Sequence, residues 1–369
     1  MAAQLKSASQ SRSRLDRLRL FLSHHRADAI LVSHLPNIHY LCGFTGSSAL
    51  LLIEGSRGTL FTDSRYTFQA RKEVSGVRVQ ITKTGLIAAA SEALRSGRKG
   101  RRTAVAYSPF QLTVGQMDAL HAGSGKHVRW VKAPNAVESL RAIKDAGELT
   151  AMKDAAELIS NVFGSILPLI RPGVSELMLS GAIEFAMKEL GATGPSFETI
   201  VASGPRSAWA HARPSSKPLR KNELVVLDQG AILRGYCSDM TRTVFLGRSS
   251  PRVRRMYAAV LEAQQAAKDA IRPGVTAGSV DAAARRVLKG YGLASKFTHS
   301  TGHGLGLEVH EMPRLGRGEA TILQQGMVLT VEPGVYVEGF GGIRIEDDIV
   351  VTSKGAQDLT SASREFLEL

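Results

Sequence analysis

Leu15, Leu18 and Leu22 recur at three- and four-residue spacing among arginines, which predicts an amphipathic helix over residues 12–26 with a charged outer face. The residues before it read as a disordered tail. Short apolar runs bounded by turn residues follow: 29–32, 49–53, 58–62, 77–81, 103–106 and 128–131. Each predicts a buried strand. Pro36-Asn37 reads as a turn, Gly55 ends the second run, and Asp63 stands as a helix N-cap after the third. Helical patterns over 85–96 and 111–121 alternate with the strands, so the first part of the chain is predicted to be an α/β domain.

Ala133-Pro134-Asn135 reads as the linker, dividing the chain into residues 1–133 and 134–369. Beyond it an Ala-rich helical stretch runs from Glu138 to about Leu169. The second part then repeats itself. Ile170-Arg-Pro-Gly-Val-Ser175 returns 101 residues later as Ile271-Arg-Pro-Gly-Val-Thr276, and a helical pattern follows each copy. A histidine comes next in both, His211 and His310, then an apolar strand ending in a carboxylate: LVVLDQG with Asp228, VLTVEPG with Glu332. A second carboxylate completes each copy, Asp239 before TRTVFL and Glu346 before DDIVV. Near-constant offsets over five features predict two similar α+β halves about a pseudo-twofold axis, each contributing two carboxylates to one central site.

Composition leaves this picture intact. A chain of 369 residues, 43% hydrophobic and 22% charged, is ordinary for a soluble globular protein. Two cysteines, Cys42 and Cys237, form no disulfide framework, and Cys237 reads as a small buried residue. No apolar run is long enough to span a bilayer, and the first twenty residues lack the apolar segment of a secretory signal, so a cytoplasmic location and no membrane partner are expected.

The net charge of +14 is unevenly placed. Residues 1–144 hold 22 basic and 8 acidic residues, leaving 25 of each for the rest. The positives (Arg12, Arg14, Arg17, Arg19, then Arg98, Lys99, Arg101, Arg102) are scattered, without a nucleic-acid motif or interleaved aromatics, so no nucleic-acid partner is expected.

The chemistry centres on Thr301 to Pro313, TGHGLGLEVHEMP. Glycine at that density lets the backbone approach something closely, and a neutral imidazole is a common metal ligand. Four buried carboxylates in one place would repel each other, and divalent cations remove the difficulty. Oxygen-rich ligands with one imidazole and no thiolate suit Mn²⁺, Co²⁺, Zn²⁺ or Fe²⁺ and argue against a structural zinc.

The series LDQG, YCSDMTRT, GHGLGLEVHE, VEPGVY, RIEDD resembles the pita-bread metallopeptidases, and the two-part organisation resembles the branch of Xaa-Pro aminopeptidase (aminopeptidase P) and prolidase. NIHYLCGFTGSSA and FTDSRY look like the creatinase-type N-terminal domain of that branch. The resemblance implies a fold of an α/β creatinase-like domain followed by an α+β pita-bread domain. It implies a dinuclear enzyme with two divalent ions, Mn first and Co, Zn or Fe as alternatives. Asp228, Asp239, His303, Glu332 and Glu346 would be the ligands, and a hydroxide shared by the metals would attack the scissile carbonyl. Glu332 would also shuttle protons, His310 would hydrogen-bond the carbonyl oxygen, and His211 would bind substrate opposite it. Arg344 would orient a carboxylate, with a surface ion pair as the alternative. His299 would line the side of the leaving residue or serve the structure, and Tyr336 would pack near the site or in the core. The expected reaction is release of an N-terminal residue from a following proline, an aminopeptidase first and an Xaa-Pro dipeptidase (prolidase) second, with a non-catalytic binding member of the fold third. The expected partners are a proline-containing peptide and a second copy of the chain in a homodimer.

Overall fold

The computed structural model describes residues 2–96 and 102–369; Arg98, Lys99 and Arg101 of the basic clusters lie outside the described residues. Two compact units divide the chain, Met1–Arg141 and Ala142–Leu369.

The first unit is built on a six-stranded mixed sheet. From edge to edge its strands are Arg78–Ile81, Arg57–Thr62, Ala49–Glu54, Ala29–Val32, Thr103–Tyr107 and Val128–Lys132. The three middle strands Arg57–Thr62, Ala49–Glu54 and Ala29–Val32 pair antiparallel, and the outer pairings are parallel. Ala29, Leu31, Leu50, Leu52, Phe61 and Val105 cover one face together with the helices Leu86–Ser96 and Val114–Ser124. Ile30, Leu51, Ile53 and Leu60 on the other face are buried too. A central strand with both faces covered needs an unbroken apolar run, which is what the sequence carries.

Three expectations are corrected here. The chain is helical from Ala2 to His24, because Ala, Gln, Leu and Lys at its start are strong helix formers where a disordered tail was expected. Pro36-Asn37 lies in the first turn of a helix, Leu35–Cys42, where a missing N–H costs nothing. The division of the chain falls after Arg141 rather than after residue 133. Asn37 donates to Glu138 at 2.8 Å, Arg141 donates to Asn37 at 2.6 Å, and Tyr40 donates to the Leu140 carbonyl, so the segment past the expected linker is held by the first unit.

The second unit shows the repeat in its backbone. Its expected first helix begins late, at Ala146, because Asp145 and Glu148 form a capping box there; a short helix, Glu138–Arg141, precedes it and a 3₁₀ turn, Leu167–Leu169, follows Ile166. Ser175 and Thr276 cap the helices Glu176–Glu189 and Ala277–Gly290 in the same way, each accepting from the N–H three residues on. Gly173 and Gly274 take left-handed φ values of 92° and 90°, and donate to the carbonyls of Leu219 and Leu323 respectively. In the first half, strand Glu223–Gln229 lies between Ile200–Ser203 and Met240–Leu246. In the second, Val328–Val331 lies between Gly302–Gly304 and Asp347–Thr352. Helix Ala146–Ile166 backs the first half and Pro251–Ala270 the second, each over its own apolar core. Among the described residues no helix is long and apolar enough to cross a membrane.

Candidate functional site

The carboxylates stand where strands end, so rigid backbone aims them. Asp228, near the end of its strand, lies opposite both Ile200 and Thr241 in the sheet register. Asp239 precedes the strand Met240–Leu246, and its N–H donates to the buried carboxylate of Asp348 at 2.9 Å. Glu332 follows Val328–Val331 and donates its N–H to the Thr301 carbonyl at 2.7 Å. Glu346 bridges Gly341–Arg344 and Asp347–Thr352, with its N–H on the Thr241 carbonyl at 3.1 Å.

His303 sits on the short strand Gly302–Gly304, which is flanked on both sides. A side chain at Gly302 would place its Cβ 1.9 Å from the Thr330 carbonyl oxygen, and at Gly304 2.2 Å from that of Met312. Glycine therefore lets three strands close around the imidazole. The Nδ1 of His303 is 3.0 Å from the Gly304 carbonyl oxygen, which places the ring proton there and leaves the Nε2 lone pair facing carboxylates. That Nε2 lies 3.7 Å from Asp239 Oδ2 and 3.7 Å from Glu332 Oε1.

These side chains line one cavity of about 450 Å³, with Asp228, Asp239, His303, His310, His211, Glu332, Arg344 and Glu346 on its walls. His211 and His310 both face it, and the rings of His303 and His310 are 4.4 Å apart between centroids. The sequence reading did not single out its other wall residues: Phe197, Glu198, Ile200, Ala212, Arg213 and Val309. None belongs to a repeated feature, so no sequence signal marked them.

Arg344 is buried and joins the site together. It donates to Asp228 Oδ2 at 2.5 Å, to Thr241 Oγ1 at 3.0 Å, to the Ala210 carbonyl at 3.1 Å and to the Tyr336 hydroxyl at 2.7 Å. The Thr241 hydroxyl in turn donates to Glu346 Oε2 at 2.6 Å. Thr241 went unnoticed in the sequence although it stands two residues from Asp239. Tyr336 continues to His299 Nε2 at 2.9 Å, and His299 Nδ1 is 2.8 Å from the Ser300 carbonyl oxygen. His299 stands beside Tyr336 with its Nδ1 3.9 Å from Glu332 Oε2, and lines a neighbouring cavity with Arg285, Phe297 and Arg314.

Electrostatics follow from crowding. Burial, then Glu346, Asp228, Asp348 and Glu332, push the Asp239 carboxyl well above the usual range. Burial and neighbouring Glu332 and Asp228 do the same to Glu346, and burial lifts Glu332 to about 8. Burial lowers His303 to about 4, keeping the ring neutral. Asp228 Oδ1 and Asp239 Oδ1 are buried with no hydrogen-bond partner. Asp239, His303 and Glu346 each offer a ligand atom within 4.8 Å of the others. Orphaned carboxylate oxygens beside a neutral imidazole fit a divalent cation, which would satisfy them at once.

Residues 150–353 match metallopeptidase family M24, and residues 14–143 match the creatinase/prolidase N-terminal domain. An Xaa-Pro dipeptidase of Pyrococcus horikoshii is 34% identical over 94% of this chain and 96% of its own. An Xaa-Pro dipeptidase structure from Bacillus anthracis superposes with a TM-score of 0.93 at 37% identity, covering 97% of this chain and all of the other. An X-Pro aminopeptidase structure from Thermotoga maritima gives 0.86 at 34% identity, covering 93% and 98%. The chain belongs to metallopeptidase family M24 and joins its pita-bread peptidase fold to a creatinase/prolidase N-terminal domain.

Proposed function

We propose that the chain is a metal-dependent Xaa-Pro dipeptidase. The observation that carries the reading is the convergence of Asp228, Asp239, His303, Glu332 and Glu346 on one cavity, with two carboxylate oxygens lacking any partner. These five side chains would hold two divalent cations, with Mn²⁺ the first choice. When bound, such ions polarise a carbonyl and lower the pKa of water toward neutrality.

The chain's own residues supply the rest. Arg344 and Thr241 orient Asp228 and Glu346. Glu332 takes a proton from the attacking water on a carboxylate oxygen and returns it to the leaving imino nitrogen of proline. His310 donates to the carbonyl oxygen as charge develops there, and His211, across the cavity, holds the substrate.

The N-terminal motifs NIHYLCGFTGSSA and FTDSRY by themselves place an aminopeptidase first. Relatives whose names carry an activity favour the dipeptidase, since several Xaa-Pro dipeptidases match over nearly the whole chain, N-terminal domain included. The likeness to the X-Pro aminopeptidase keeps the longer-peptide reading as the second.

The test is turnover of an Xaa-Pro dipeptide against an Xaa-Pro-Yaa tripeptide by the Mn²⁺-loaded protein. Preference for the dipeptide by tenfold or more is expected. Preference for the tripeptide makes it an aminopeptidase, and no turnover of either with Mn²⁺, Co²⁺, Zn²⁺ or Fe²⁺ removes the peptidase reading.

A further inference from the structure

Glu176 is the first residue of the helix Glu176–Glu189 and is fully buried, yet it lies outside the carboxylate cluster. Its carboxylate is saturated by two short segments. Oε1 accepts from the Ser203 N–H at 2.9 Å and the Ser203 hydroxyl at 2.8 Å. Oε2 accepts from the Ser215 N–H at 3.1 Å, the Ser215 hydroxyl at 2.6 Å and Arg206 Nε at 3.0 Å. Ser203 and Ser215 are the two ends of the excursion that carries His211.

The same carboxylate reaches the middle of the excursion through Arg206. That guanidinium donates to the Arg213 carbonyl at 2.5 Å and lies 5.0 Å from the centroid of the Trp209 ring. Trp209 and Arg213 stand two residues to either side of His211. On the cavity side Arg344 holds the Ala210 carbonyl, one residue from His211. His211 itself is exposed to the cavity, so its own packing does not fix it. A buried ion with five donors defines one geometry strongly, because any displacement leaves charge unpaired.

We propose that Glu176 is the positioning residue for His211: through Ser203, Ser215 and Arg206 it sets where the imidazole stands against the substrate. The proposal rests on the peptidase reading, in which His211 contacts substrate.

The experiment is a double-mutant cycle on the metal-loaded enzyme with an Xaa-Pro dipeptide. Glu176→Gln keeps the shape but exchanges an acceptor oxygen for a donor amide. It should lower kcat/KM about 10- to 100-fold, the cost of a small misplacement, with metal content unchanged. Glu176→Gln combined with His211→Ala should equal His211→Ala alone within about twofold, since nothing is left to position. Full activity of Glu176→Gln, or losses that multiply in the double variant, would overturn the proposal; a purely structural role predicts the multiplied loss. Should Glu176→Gln not fold, Ser215→Ala removes one donor from the same carboxylate and carries the same cycle with a smaller effect. If the wild-type enzyme turns over no Xaa-Pro substrate, the peptidase reading fails, and the positioning is then read by hydrogen–deuterium exchange. Exchange across residues 203–215 should accelerate in the variant while the rest of the chain is unchanged, and an unaltered segment would overturn the proposal.

Discussion

The Arg344 guanidinium donates to Oδ2 of Asp228 at 2.5 Å while Oδ1 of the same carboxylate has no partner at all. One oxygen is thereby committed to the protein and the other stays open to the cation proposed for this site. Three of the four groups that Arg344 binds stand more than a hundred residues away in the chain, so it fixes the site's geometry as well as its charge.

Arg344→Lys keeps the charge but cannot present a planar fork to Asp228, Thr241, Ala210 and Tyr336 together. An activity loss of about 10- to 100-fold is expected, the usual cost of removing a group that orients a metal ligand. Arg344→Met should in addition destabilise by about 3–5 kcal/mol, because it leaves Asp228 buried and unpaired. Steady-state kinetics and urea denaturation would separate the two effects.

Chelation should abolish turnover, and Mn²⁺ or Co²⁺ should restore it. His303→Ala removes the only imidazole among the five proposed ligands and should bind less metal as well as turn over less. Elemental analysis after gel filtration reads the stoichiometry directly. A His303→Ala protein with wild-type metal content would remove His303 from the ligand set.

His299 is held neutral, its pKa lowered to about 4 by burial first and by the nearby Arg344 second. Its folded pKa therefore lies below its unfolded value of 6.5, and the unfolded chain binds the extra proton. The contribution of His299 is complete above pH 6.5 and is lost as pH falls from there toward 4. The loss at pH 4 is on the order of 3 kcal/mol. His299→Gln, which can still accept from Tyr336, should flatten that part of the stability curve measured by urea denaturation at stepped pH.

Two glycine substitutions should act in opposite directions. Gly302→Ala forces a Cβ onto the Thr330 carbonyl and should cost at least about 3 kcal/mol, since neither strand can move without opening the site. Gly181 lies exposed in the helix Glu176–Glu189, where a Cβ would meet nothing. Gly181→Ala should stabilise by about 0.5–1 kcal/mol through helix propensity. Thermal denaturation of the two variants tests both.

Much of the fold could be read from local pattern. The unbroken runs at 29–32 and 49–53 imply strands covered on both faces, and the structure buries them so. The two Ile-Arg-Pro-Gly-Val copies declare their equivalence because each turn needs a glycine at positive φ and a hydroxyl cap two residues after it. The four carboxylates were legible because the repeat places them at matching strand ends, and His303, which has no counterpart in the first half, because of the glycines around it. The break at Asp145 was legible in principle, as a capping box, and was passed over inside an Ala-rich run.

What the sequence by itself determined is thus what depends on neighbours along the chain: strand and helix periodicity, capping, the internal repeat and the supply of oxygen and imidazole ligands. Only the tertiary structure decided the partners. Arg344 meets Asp228 from 116 residues away, Thr241 meets Glu346 from 105, and Glu176 gathers Ser203 and Ser215 from beyond its own helix. The same was true of the division after Arg141, which depends on Asn37 and Tyr40. The physical reason is that a buried charge is satisfied by whichever donors the fold brings to it. Spacing along the chain records the strand that presents a carboxylate, while the arginine or serine that completes it comes from another element, at a separation no local period encodes.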